Sequence, residues 1–130
     1  MSNPIKFQTP RARVNSLGSA KSGTQHAWHM RLTAFALLPL TIAFVFIVVK
    51  LTHLGFADAQ QMIGSACPAI LLILFVVAGA WHMKLGMQAI IEDYVHSEHL
   101  KSIASMSNIC FSALISVSAV YAILRLSFLH

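Results

Sequence analysis

The sequence predicts an all-α integral membrane protein with three transmembrane helices and one domain. Three observations carry this. Of 130 residues, 57% are hydrophobic and only 10% charged, against about 25% charged in an ordinary soluble domain. Three long runs contain no Asp, Glu, Lys or Arg: 32–49, 59–83 and 102–124. Crossing a bilayer takes about 20 apolar residues, and three such runs leave too little chain for a soluble core. The net charge of +5 is therefore no nucleic-acid signal. It gathers before the first span, in Lys6, Arg11, Arg13, Lys21 and Arg31. With the N-terminus cytoplasmic, seven Lys and Arg lie inside and two, Lys50 and Arg125, lie outside, as the positive-inside rule favours.

Residues 1–25 are polar, hold Pro4, Pro10, Gly18 and Gly23, and lack helical periodicity. They predict an irregular cytoplasmic arm that orders against a partner. The arm lacks acidic residues, as a transit peptide would, and its length argues against a cleaved signal peptide. Residues 26–130 form the membrane domain. Span one is expected at about 28–52, with Trp28 and Arg31 at its cytoplasmic edge and a kink tolerated at Pro39. A short loop at His53-Leu54-Gly55-Phe56 leads to span two at about 61–93, with Pro68 in its early turns. That helix is long enough to tilt or protrude. A turn around His96-Ser97-Glu98 precedes span three at about 102–126. Ser105, Ser112 and Ser116 share one face there. They suit close helix packing or, less simply, the lining of a ligand site. Cys67 and Cys110 fall at different depths, which disfavours a disulfide.

The chemistry concentrates in span two. His82 lies deep in the span, and ionisable groups inside a membrane are costly enough to be functional candidates by default. With 3.6 residues per turn, Gly86, Ala89 and Asp93 all fall within about 40° of His82 around the helix axis. His82 thus sits in a groove of small residues on a face that ends at Asp93, about 16 Å away along the axis. A neutral imidazole at that depth needs partners for its nitrogens. An axial bond to haem iron and a hydrogen bond to another helix both meet the need, and the pattern leaves both open. Only one mid-membrane histidine is present, so a bis-histidine haem takes its second ligand from another chain. Tyr94, at the membrane surface beside Asp93, is either an interfacial belt residue or a hydrogen-bond donor to a quinone carbonyl. Arg31 is a snorkelling anchor or the partner of a haem propionate. Lys84 and Gln88 share the opposite face and need protein, water or an anion. His96 and His99 lie in a polar loop.

The run His82-x-x-x-Gly86-Met87-Gln88-x-x-x-x-Asp93-Tyr94-Val95-His96 resembles the signature of the small hydrophobic membrane anchor subunits of succinate dehydrogenase. The opening of span one, His26-x-Trp28-x-x-Arg31-Leu32-Thr33-Ala34, extends the resemblance, and the stretch from Ser16 to Thr24 resembles the alphaproteobacterial type in particular. The resemblance implies that His82 is an axial ligand of haem b, with the other ligand from a cytochrome b556-type sister anchor. It implies that Arg31 approaches a haem propionate, that Tyr94 hydrogen-bonds ubiquinone, and that Asp93 supports Tyr94. The implied partners are that sister anchor, a flavoprotein subunit and an iron–sulfur subunit. The implied setting is the bacterial inner membrane, with the C-terminus periplasmic. The chain carries no flavin fingerprint or cysteine cluster, so it is expected not to catalyse alone. The competing expectations are the anchor of a quinol:fumarate reductase, a small transporter or channel subunit with His82, Lys84, Asp93 and Tyr94 along one polar path, and a structural membrane protein without cofactor.

Overall fold

The computed structural model describes residues 21–128. They form four helices: α1 Lys21–Leu51, α2 Phe56–Gly64, α3 Ala66–Tyr94 and α4 Glu98–Phe128. Three segments are long and apolar enough to cross a membrane: Thr24–Leu51, Ala66–Tyr94 and Glu98–Phe128. The predicted all-α, three-span architecture is therefore present. α3 is the central helix. It packs against α1 on one side and α4 on the other, while α2 lies mainly against α4.

The boundaries differ from expectation in three places. The expected arm over 1–25 lies mostly outside the described residues, but 21–25 already belong to α1. Beyond Pro10 no proline interrupts the backbone until Pro39, and one Gly in a helix costs only about 1 kcal/mol. About ten residues of helix therefore precede Arg31, which does not sit at the helix start. α4 likewise begins at Glu98, four residues before the expected start of span three. An acidic first turn suits a helix N-terminus.

The third difference is a break at Ser65. Span two does not begin near Gln61; residues 61–64 belong to the separate nine-residue helix α2. Ser65 is extended, with φ −69° and ψ 146°. Its N–H donates to the carbonyls of Gln61 and Met62, at 3.1 and 3.3 Å, and so closes α2. Its own carbonyl accepts from the Ala69 N–H at 3.0 Å and opens α3. Pro68 explains the break. As the third residue of α3, its missing N–H is one that a helix start leaves without a partner anyway. In a helix running from Gln61 it would lose a bond to the Gly64 carbonyl and clash with it.

The core within this one chain is thin. The inward stripe of α1 recurs at helical spacing through Met30, Thr33, Leu37, Leu40, Phe44 and Ile47. It meets α3 through a stacked Phe44–Phe75 pair, with centroids 4.5 Å apart, and through Leu37 against Gly79. α3 and α4 are clamped by polar bonds. Asn108 Nδ2 donates to the Lys84 carbonyl at 2.9 Å, Gln88 Nε2 to Ser105 Oγ at 3.2 Å, and Lys101 Nζ to the Glu92 carbonyl at 3.0 Å. The serine face of span three is thus a packing face: Ser105 bonds α3, and Ser112 is 5% exposed. No described side chain is fully buried, whereas Phe35 is 80% exposed, Val117 68% and Leu114 67%. Such faces need lipid or other apolar helices against them. Both cysteines are free and exposed.

Asn108, only 7% exposed, supplies the most enclosed of these clamps. Interhelical hydrogen bonds in membranes average about 0.6 kcal/mol and reach about 1.7. Asn108→Leu should lower the stability of the detergent-solubilised assembled protein by that range, read from denaturant titration. An unchanged midpoint would mean that the α3–α4 contact does not draw on this bond.

Candidate functional site

The site grows from one side chain. His82 lies on α3, 16 residues after Ala66 and 12 before Tyr94, which is about 18 Å of helix from Tyr94. It is half-buried and turned toward α1. Its Nδ1 lies 2.9 Å from Thr33 Oγ1. Thr33 Oγ1 in turn lies 2.9 Å from the His29 carbonyl and 3.1 Å from the Met30 carbonyl. A helical threonine commonly bonds back to the preceding turn in this way. The interhelical hydrogen bond that the sequence left as one option for His82 is therefore made, but by one nitrogen only. Nε2 has no hydrogen bond among the described residues and is not sealed inside the bundle.

The small residues around His82 divide their roles. A Cβ on Gly79 would meet Leu37 Cδ2 at 3.9 Å, an ordinary contact with α1. A Cβ on Gly86 would meet nothing within 4 Å. Gly79 thus belongs to the α1–α3 packing, and Gly86 leaves open space one turn from His82. A flat ligand standing on the histidine needs room of this kind. No group of three or more His, Cys, Asp or Glu gathers among the described residues. A metal held here would take one ligand, His82, from this chain, as an axial haem ligand does.

The remaining candidates lie apart. Asp93 and Tyr94 close α3 and are both exposed, Tyr94 at 77%. Neither side chain has a hydrogen-bond partner among the described residues, so the Asp93 carboxylate does not hold the Tyr94 hydroxyl within this chain. Arg31 is exposed and two residues from Thr33, so its Cα stands within about 3 Å of the Thr33 level along α1. His96 and His99 are exposed.

Lys84 and Gln88 face α4, away from His82. Lys84 Nζ stands 5.0 Å from the centroid of the Trp81 ring, a cation–π distance. It borders a cleft of about 220 Å³ shared with Ser112 and Ser116. Gln88 Nε2 donates to Glu92 Oε1 at 2.7 Å as well as to Ser105. Lys84 thus points to the α4 side of α3 rather than the α1 side to which His82 turns. The four groups that a polar channel would need on one path lie on two sides of α3.

Two residues of α1 were not legible as site residues. Thr33 reaches His82 across 49 positions, and His26, on the same stripe, has a buried Nε2 without a partner. Both stand on the face of α1 that meets α3, a face that a nearly uniform apolar helix does not mark in its sequence.

Comparison with known proteins gives the family. The family model described as succinate dehydrogenase/fumarate reductase transmembrane subunit matches residues 6–122. A succinate dehydrogenase hydrophobic membrane anchor subunit of Paracoccus denitrificans is 34% identical over 122 residues, covering 94% of each chain. A protein of the same name from Rickettsia bellii (strain RML369-C) is 26% identical over 117 residues, covering 90% of this chain and 94% of its own. A succinate dehydrogenase membrane anchor subunit of Reclinomonas americana is 28% identical over 87 residues, 65% of this chain and 72% of its own. No solved structure matches. The chain belongs to the succinate dehydrogenase/fumarate reductase transmembrane subunit family.

Proposed function

We propose that this chain is the hydrophobic anchor subunit of a succinate dehydrogenase, in which His82 ligates haem b and the end of α3 contributes to a ubiquinone site. The observation that carries the haem assignment is the division of labour on His82. Nδ1 is engaged by Thr33 at 2.9 Å, Nε2 has no hydrogen bond among the described residues, and Gly86 one turn away leaves open space. Haem iron is coordinated by a neutral imidazole whose other nitrogen is held by a hydrogen bond. His82 has its Nδ1 held in this way, and a sister anchor subunit would supply a second ligand. Bound there, haem b supplies a one-electron carrier inside the membrane. The names of the relatives, together with the exposed apolar faces of α1 and α4, support assembly with other subunits.

The quinone assignment rests on position and chemistry. Tyr94 presents a phenol at the end of a membrane-spanning helix, 77% exposed, where a neighbouring subunit can complete a pocket. The phenol donates a hydrogen bond to a quinone carbonyl. The adjacent Asp93 carboxylate stands where protons arrive from the aqueous side. Two electrons and two protons convert the quinone to quinol. The electrons come from succinate oxidised on a flavoprotein subunit and pass through an iron–sulfur subunit. Arg31, exposed near the level of Thr33, would pair with a propionate. We place the N-terminus in the cytoplasm and the C-terminus in the periplasm of a bacterial inner membrane, from the distribution of Lys and Arg. The family description covers both succinate oxidation and fumarate reduction, and the relatives' names favour the first.

In the purified complex, His82→Ala should abolish the low-spin haem spectrum; an unchanged spectrum would remove His82 as a ligand. Gly86→Leu fills the open space beside His82 and should lower haem content in assembled complex. Full occupancy would show that the ligand does not lie over Gly86. Tyr94→Phe removes one hydrogen bond of about 1–2 kcal/mol and should slow quinone reduction roughly 5- to 30-fold. Succinate oxidation by a soluble dye should stay intact. Equal loss of both activities would sink the quinone assignment.

A further inference from the structure

We propose that Thr33 is a positioning residue for His82: its hydroxyl accepts the Nδ1 proton and so keeps Nε2 unprotonated and free to bind iron. This rests on the reading of His82 as a haem ligand and adds what selects the nitrogen that binds. A neutral imidazole carries one proton, on either nitrogen. With the proton on Nε2, no lone pair faces outward and no ligand bond forms there. The choice therefore decides whether the histidine works.

The geometry around Thr33 makes the choice. Three atoms crowd its Oγ1: the His29 carbonyl oxygen at 2.9 Å, the Met30 carbonyl oxygen at 3.1 Å, and His82 Nδ1 at 2.9 Å. The hydroxyl has one proton and two lone pairs. The two carbonyls can only accept. The hydroxyl proton goes to the preceding turn of α1, and a lone pair of Oγ1 is left for Nδ1–H. The result is a relay, Nδ1–H to Oγ1–H to carbonyl, running from α3 into the backbone of α1. In an apolar medium an imidazole N–H facing a competent acceptor is strongly preferred to one left bare. α1 offers this acceptor on the Nδ1 side, whereas Nε2 meets no acceptor among the described residues. The same bond restrains the ring about χ1 and χ2, and Leu37 against Gly79 holds the two helices close one turn away. An acceptor on Nδ1–H also makes Nε2 a stronger donor to iron.

Replacing such an outer partner typically costs 10- to 100-fold in metal affinity. The test uses the intact, purified complex and four variants: Thr33→Val (same shape, no hydroxyl), Thr33→Ala, Thr33→Ser (hydroxyl kept) and His82→Ala. The readouts are haem retention during dilution, the electron paramagnetic resonance spectrum of ferric haem, and its midpoint potential. Thr33→Val and Thr33→Ala should retain haem roughly 10- to 100-fold less tightly, with an altered spectrum. Their midpoint should be more positive, because a weaker donor stabilises the ferric state less. Thr33→Ser should resemble the wild type in all three. If Thr33→Val does not assemble, the Ala and Ser pair carries the same comparison. Variants lacking the hydroxyl that match the wild type, while His82→Ala loses haem, would overturn the role of Thr33 and leave the ligand assignment standing. A Thr33→Ser complex displaced as far as Thr33→Ala would overturn it too, by assigning the effect to the lost methyl. A His82→Ala complex with unchanged haem would overturn the ligand assignment and this inference with it.

Discussion

An imidazole in the middle of an apolar helix bundle must account for two nitrogens, and the described residues account for one. The 2.9 Å contact between His82 Nδ1 and Thr33 Oγ1 ties α3 to α1 by a polar bond in an otherwise apolar seam. It marks where those helices meet, with Leu37 on Gly79 and the Phe44–Phe75 stack continuing the contact along the seam. It also determines what is left over. Nε2 has no hydrogen bond among the described residues, and Gly86, one turn along α3, leaves open space. A polar group at this depth without a partner costs several kcal/mol. A ligand from outside the chain removes that cost, so the same bond that ties α1 to α3 creates a demand for something bound.

The thin core makes the same point on a larger scale. No described side chain is fully buried, and large apolar residues are exposed along every span. In a membrane, lipid satisfies such faces without effort, because the bilayer is as apolar as leucine. Specific association then has to come from polar bonds and close packing. α3 and α4 use both: the clamps of Asn108, Gln88 and Lys101 lie along one edge, and the small Ser112 is buried between the helices. The exposed Asp93 and Tyr94 at the end of α3 carry polar groups without hydrogen-bond partners among the described residues, and α1 turns a largely apolar surface outward. The unit of function is therefore larger than the chain, as its family implies.

Much of this was legible in the sequence. The charge-free runs 32–49, 59–83 and 102–124 marked the three spans, because a bilayer imposes one length on all of them. His82 stood out because an ionisable group inside such a run demands an explanation. The break at Ser65 was not legible. The charge-free run 59–83 passes through it without interruption, and Pro68 reads there as a residue tolerated inside one helix rather than as the third residue of a new one. Thr33 was hidden for a different reason: its role depends on which stripe of α1 faces α3, and a nearly uniform apolar helix shows no preferred face. The sequence placed Lys84 opposite His82 but left its partner open; the contact with Trp81 and the packing against α4 resolve that.

The central claim is that His82 divides its nitrogens, Nδ1 to Thr33 and Nε2 to iron. A map of the intact complex at a resolution that defines the ring orientation tests it most directly. The account predicts haem iron bonded to Nε2 of His82, with Thr33 Oγ1 still within hydrogen-bond distance of Nδ1 and the macrocycle passing over Gly86. A ring whose Nε2 donates to a protein carbonyl, or haem bound with Thr33 turned away from His82, would contradict it.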